Sequence, residues 1–440
     1  MYFVFQDCYE NLINYGNEIY SLVKGKLSKN YKFPIDDMTR YIITNNGKTT
    51  TLEGDEFMQE KYKDWETTIS KQDISQQRMY LNPVIFKDMN QDSIKDIYSR
   101  SYNELNTFKG YLVCATDGMT VELPNHPIPR KEWAVPENSL NYTNPSRART
   151  SGFFDLRNGF IIDSIIEKTN IGELPLALRN IENVSQIFDF KNIISIYDRG
   201  YPSIELFMKL IEKQGMFIVR LKSDDYKTER SKMKKNDEFV KITLNKTRTN
   251  RIKDSILREK AEKKTILKLR IVNIKLPNGT IETLITNLPK KIANKDELKE
   301  LYAERWGIET DNDILKNKLH IENFSGLKEI IIKQDFYSQI FMHNMLNEYR
   351  LHINLNMKLK KEEKGNYKEY KTNINVLAGK LKGLILKVFF AENEEERRKI
   401  NNYILETAEK NMILIKKKES SPRERKYGKN KNSINLRKNF

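Results

Sequence analysis

Tyr111-Leu-Val-Cys-Ala-Thr116, followed at once by Asp117-Gly118, is an unbroken apolar run that stops on an acid and a glycine. A run this short without polar alternation suits a strand covered on both faces better than a helix. Ile193-Ile-Ser-Ile-Tyr197 repeats the pattern and stops on Asp198-Arg199-Gly200. Between them, residues 152–155 and 159–166 read as strands flanking Leu156-Arg157-Asn158, and Asn158-Gly159 is a hairpin signal because both residues tolerate positive φ. Residues 203–214 then read as a helix and 216–221 as a strand. Strand, hairpin, strand, helix, strand is a mixed α/β layout with an acid at two strand ends. Taken singly, each Asp could be a turn-former, the commoner role of Asp before or near glycine.

Further along, residues 223–291 change composition, with 19 Lys+Arg against 9 Asp+Glu. Alternating runs such as Thr265-Ile-Leu-Lys-Leu-Arg-Ile-Val-Asn-Ile274 and an Asn278-Gly279 turn make this a basic, β-rich insertion. A long helix is expected from near Asp296 to about Leu319. It carries Tyr302, Arg305, Glu309 and Lys316 at spacings of 3, 4 and 7 residues. On a regular helix these fall within roughly a 60° arc. One carboxylate amid a phenol, a guanidinium and an ammonium suits a phosphodiester: the acid can ligate a divalent metal while the cations hold phosphate oxygens. An exposed helix with incidental charge pairs through Glu304 or Glu309 explains the face alone equally well. With Asp117 and Asp198 added, two Asp and one Glu form an oxygen set suited to Mg²⁺ or Mn²⁺.

The first hundred residues read as mostly helical. Ser70 to Arg78, then Met79 to Phe86 with Pro83 between, suits a helix-turn-helix, although an ordinary helical hairpin gives the same pattern. Residues 336–350 read as another helix, and the tail from Lys416 as flexible and polycationic. The 440 residues carry a net charge of +17, which makes a polyanion the leading partner. No apolar run approaches the ~18–20 residues of a membrane span. The N-terminus lacks the basic region of a secretion signal, and Cys8 and Cys114 are too few for a disulfide framework. A cytoplasmic protein without membrane contact is expected. Residues 223–291 hold +10 and residues 351–440 hold +12, leaving −5 for the remainder, which includes both Asp residues and Glu309.

The stretches from Tyr111 to Pro124, Ile196 to Tyr201 and Tyr302 to Glu309 with Lys316 resemble the three acidic boxes of DDE transposases. More narrowly, they are similar to the bacterial insertion-sequence group with a Tyr-Arg-Glu-Lys signature. The resemblance covers roughly residues 65–350, and its third box is the specific part. It implies an α/β, ribonuclease H-like mixed sheet flanked by helices, with the β-rich insertion before the Glu309 helix and helical N- and C-terminal regions. Five regions are expected: a DNA-end-binding segment (1–105), the catalytic core in two parts (106–222 and 292–350) split by the insertion (223–291), and a basic C-terminal region (351–440) for dimerisation or DNA binding.

The resemblance further implies Asp117, Asp198 and Glu309 as a catalytic triad binding two Mg²⁺ or Mn²⁺ ions. Tyr302, Arg305 and Lys316 would contact DNA phosphates, and Trp306 would stack on a flipped base, although core packing accounts for that indole equally. One departure is that residues 253–301 contain no tryptophan to push such a base out; the other two are Trp65 and Trp133. The implied activity is cleavage at terminal inverted repeats and joining of 3′-ends to target DNA, with or without hairpin closure, by a homodimer on double-stranded DNA. The rival expectation is a catalytically silent, transposase-derived DNA-binding or regulatory protein.

Overall fold

Eight strands form one mixed sheet in the computed structural model, which describes residues 3–7, 19–28, 33–100, 104–133, 146–364 and 370–415. They are β1 (Leu112–Glu122), β2 (Arg147–Asp155), β3 (Ile161–Lys168), β4 (Ile193–Tyr197), β5 (Met216–Arg220), β6 (Asp237–Thr243), β7 (Ile266–Lys275) and β8 (Ile281–Thr286). The spatial order is β3-β2-β1-β4-β5-β8-β7-β6. β1, β2 and β3 are successively antiparallel, while β4 lies parallel to β1 and β5 parallel to β4. This arrangement is the ribonuclease H-like sheet expected of a transposase. β4, mostly apolar with Ser195 at its middle, is central and buried along its length, as a parallel strand with both faces covered must be.

β1 is longer than its apolar run. Rather than turning at Asp117-Gly118, it continues to Glu122 by pairing with β2, with Asp117 opposite Gly152 and Glu122 opposite Arg147. Its parallel pairing with β4 stops at Ala115 opposite Ile196, so the distal half of β1 projects beyond its neighbour. The β2–β3 hairpin turns at Gly159, which has φ +78°. Inside the turn, the buried Asp155 carboxylate accepts from the Arg157 and Asn158 amides and from the Tyr98 hydroxyl at 2.5 Å.

The strands between residues 223 and 291 do not build a separate sheet. β8 pairs antiparallel with β5, Ile218 facing Thr286, and β7 and β6 follow outward. Arg270 of β7 is fully buried, held by Asp237 at 2.7 and 2.8 Å and by the Ala293 carbonyl at 2.7 Å.

Helices flank this sheet. At the N-terminal side are α1 (Ile35–Thr44), α2 (Thr50–Tyr62), α3 (Lys71–Arg78) and α4 (Val84–Arg100). Ser70 caps α3 by accepting from the Asp73 amide at 3.1 Å. The buried Arg78 is spent inside the protein on Gln334, Asp335 and Ser325. Along the sheet lie α5 (Glu173–Ser185), against β2 and β3, and α6 (Ile204–Glu212), capped by Ser203 and against β5.

The expected helix over 296–319 is three segments: α7 (Lys295–Glu304), α8 (Gly307–Asp313) and a π-helical stretch, Ile314–Lys318. α9 (Glu329–Lys364) then runs past the expected boundary at 350, packing on β3, α1 and α4. Asn344 of α9 bonds both the amide and the carbonyl of Ile161 at the start of β3. α10 (Ile374–Phe389) and α11 (Glu394–Lys410) are the last helices described. Cys8 and the cationic tail from Lys416 lie outside the described residues. No described helix is long and apolar enough to cross a membrane.

Candidate active site

The parallel pairing of β1 and β4 brings their acids to one edge. Asp117 sits on β1 where β4 has already ended, and Asp198 is the first residue after β4. The Asp198 carbonyl closes a tight turn by accepting from the Tyr201 amide at 3.1 Å. The Asp117 carboxylate accepts from the Gly118 amide at 3.0 Å. Burial pushes the Asp117 carboxyl up to about 6; Arg305 and the Gly118 amide oppose the shift, while Asp198 and Glu173 add to it. Partly desolvated acids that repel one another are a cation-seeking arrangement. Asp117 and Asp198 therefore fit a divalent metal by donor type and by electrostatics.

Tyr302, at the end of α7, is buried and donates to Asp198 Oδ1 at 3.1 Å. Burial and the neighbouring Asp198 charge raise its phenol above the ordinary value. Arg305 follows α7 and is only 9% exposed; its Nε is buried without a hydrogen-bond partner. Its guanidinium lies 5.4 Å from the Trp306 ring centre and 5.9 Å from that of Tyr302. Trp306 is 52% exposed, so the indole is not core packing. Arg157, in the β2–β3 turn, grips Glu304 through two hydrogen bonds of 2.9 and 2.6 Å and bonds the Thr107 carbonyl at 2.6 Å. That grip ties the end of α7, and so Arg305, to the hairpin.

Glu309 and Lys316 are placed differently. Around residues 305–309 the amides bond three residues back, Arg305 to Tyr302 and Glu309 to Trp306, which tightens the helix. Past residue 313 the π segment loosens it, with the Leu319 amide bonding the Ile314 carbonyl. Over- and underwinding shift the phase that a regular 3.6-residue turn would keep, so the four signature residues do not share one straight stripe. Glu309 is exposed on α8, and among the described residues no three acids, histidines or cysteines converge closely enough to hold one metal ion. α8 nevertheless borders the site: Asn312 and Leu315 line a small cavity with Asp117 and Ser151. Asp311 faces buried His343 of α9 at 3.7 Å. Lys316 Nζ donates to the Thr120 carbonyl of β1 at 2.9 Å and pairs with Glu322 at 3.2 Å.

Three neighbours escaped the sequence reading. Arg220, the last residue of β5, pairs with Glu282 of β8 at 3.3 Å beside Asp198 and Tyr302. Tyr201, three residues past Asp198, is buried. Glu173 opens α5 on the near side of Asp117. A third parallel strand end could have pointed to Arg220. Nothing local to Glu173 marks it.

Three comparisons bear on this geometry. A family model described as a transposase DDE domain matches residues 108–345. No curated protein matches the chain. Among solved structures, the cryo-EM structure of a piggyBac transposase synaptic complex with hairpin DNA is similar at 11% identity, over 91% of this chain and 84% of that one. The TM-score of that match is 0.39.

Proposed function

The chain belongs to the transposase DDE-domain family, and from that premise we propose that it is the transposase of a bacterial insertion sequence of the Tyr-Arg-Glu-Lys group. It binds double-stranded DNA at the terminal inverted repeats, cleaves there and joins the 3′-ends to target DNA, acting as a homodimer. The observation that carries this reading is the pairing of Asp117 and Asp198 at adjacent parallel strand ends, with Arg305 beside them.

Asp117, Asp198 and Glu309 are the residues that would hold Mg²⁺ or Mn²⁺. Two such ions, when bound, supply an activated water or 3′-hydroxyl and stabilise charge on the leaving oxygen. The protein's own groups do the rest. Tyr302 fixes one Asp198 oxygen, so that carboxylate presents the other. The unpartnered Nε of Arg305 is a buried donor without an acceptor, which a phosphate oxygen would satisfy. Lys316, anchored on Thr120 three residues past Asp117, adds positive charge on the β1 side. The exposed Trp306 offers a face on which an unstacked base can rest, worth about 1–3 kcal/mol.

One observation favours the rival reading, a transposase-derived DNA-binding protein without catalysis: Glu309 is exposed and, among the described residues, completes no three-acid cluster. A single assay decides. The full-length protein is incubated with duplexes bearing the repeats that flank its gene, with Mg²⁺ or EDTA, beside Glu309→Ala. Metal-dependent nicking lost in the variant supports the transposase; binding without nicking by the wild type leaves only the silent protein.

A further inference from the structure

Asp117 and Asp198 are not the only acids at this edge. Glu173 is the first residue of α5, and its side chain crosses both strand ends. A Cβ added at Gly118, next to Asp117, would lie 3.2 Å from Glu173 Cγ. One added at Gly200, two residues past Asp198, would lie 3.5 Å from Glu173 Oε2. The first approach is tighter than side chains ordinarily make and the second is ordinary contact, so the Glu173 side chain lies against both strand ends. Glu282, the other acid near Asp198, is neutralised by Arg220. Glu173 has no such cation: among the described residues its carboxylate has neither an ion-pair nor a hydrogen-bond partner.

A second observation is independent of the acids. Tyr201 is 2% exposed and its hydroxyl has no hydrogen-bond partner. Besides Tyr197, the groups whose charges act on that hydroxyl are Asp117, Glu173 and Asp198, so it borders the same small volume. An orphaned buried hydroxyl costs about 1–3 kcal/mol unless something completes it. A hydrated cation does so, because its bound water can bridge to the phenol.

We propose that Glu173 is a fourth carboxylate of the cation site, ligating a divalent ion together with Asp117 and Asp198. The inference rests on the reading of those two acids as metal ligands. As the chain stands, no three acids meet at one point among the described residues. Glu173 is exposed, however, and its three side-chain torsions leave it free to reorient toward an ion held by the other two. With Glu173 contributing, the site holds a third acid without requiring the exposed Glu309, which is left to the DNA-bound state.

The test is Mn²⁺ binding by the full-length protein without DNA, read from the paramagnetic resonance signal of the free ion. Glu173→Gln removes the charge and keeps the shape; its apparent Kd is expected to rise about tenfold, the loss of one ligand interaction of ordinary strength. Glu173→Asp keeps the charge but withdraws the carboxylate by one methylene, and its Kd is also expected to rise. Wild-type affinity in Glu173→Asp, or in Glu173→Gln, overturns ligation by Glu173. Asp117→Asn, measured alongside, separates the two failures. If it alone weakens binding, the Asp117–Asp198 site stands without Glu173; if none of the variants does, the cation site itself falls.

Discussion

The two strand-end acids and the segmented helix that follows them are built on different principles. Asp117 and Asp198 are placed by sheet register: β1 and β4 pair residue by residue up to Ala115 and Ile196, and the acids follow within two residues. The third box is placed by a helix that tightens at 305–309, loosens at 314–318, and is tied down by Arg157 on Glu304 at one end and Lys316 on Thr120 at the other. Parallel pairing leaves a strand end little choice of position. A helix with two phase defects can present its residues inward or outward at small cost, and here Tyr302 and Arg305 point inward while Trp306 and Glu309 are exposed.

The comparison can be broken most sharply at the sheet. Asp117→Asn and Asp198→Asn should each lower end cleavage by roughly three orders of magnitude or more, a loss of ~4 kcal/mol of transition-state stabilisation. End binding in gel shifts should stay near wild type. Glu309→Ala should do the same despite its exposure; wild-type cleavage there would confine the chemistry to the strand ends.

The Asp117 carboxyl also gives a pH signature. Its folded-state value is raised from 3.8 to about 6, so folding favours the protonated form. Its stabilising contribution is full below the unfolded value and is lost as pH rises through about 6. In EDTA, Asp117→Asn should therefore melt higher than wild type at pH 7.5 by an amount worth about 1–3 kcal/mol, and the gap should close near pH 3.5. A constant gap across that range would mean that burial of the charge is not what separates the two proteins.

On the helix, Trp306→Ala should leave thermal stability within about 0.5 kcal/mol, because the indole is exposed. It should weaken a complex containing an unstacked end by about 1–3 kcal/mol. A stability loss without a DNA effect would return Trp306 to packing. Smallest, Arg157→Ala should cost about 1 kcal/mol in denaturant unfolding, discounted for partial exposure of the pair. Its larger consequence should be slower cleavage, because the end of α7 then loses its tie to the hairpin.

Charge placement divides along a related line. The excess in residues 223–291 is partly used inside the fold: Arg270 is buried on Asp237, Arg230 bonds the carbonyls of residues 222 and 223, and Arg248 pairs with Glu229 at 2.7 Å. These cations hold the outer strands and their loops together as well as adding to the field. Charge counted along a chain overstates what is offered to a ligand wherever a guanidinium is needed to satisfy backbone carbonyls.

Much of the core is legible in the amino-acid order. The apolar runs at 111–116 and 193–197, the Asn158-Gly159 turn and the Ser203 cap are local signals, each decided within a few residues by burial or backbone preference. They suffice for the strands, the hairpin and the two acids. The extension of β1 to Glu122 is not legible, because its partner Arg147 lies 25 residues away and pairing, not composition, makes it a strand. Nor is the joining of β8 to β5, which turns an inserted segment into part of the sheet.

From sequence alone came the acidic boxes, the mixed α/β layout and the spacing of Tyr302, Arg305, Glu309 and Lys316. Each depends on residue type and short-range periodicity. The tertiary structure alone decided which acids are neighbours: it paired Asp117 with Asp198, set Glu173 across both strand ends and left Glu309 exposed. That decision rests on non-local register and on helix irregularities whose energies are small, spread over many contacts and invisible in any short window of sequence.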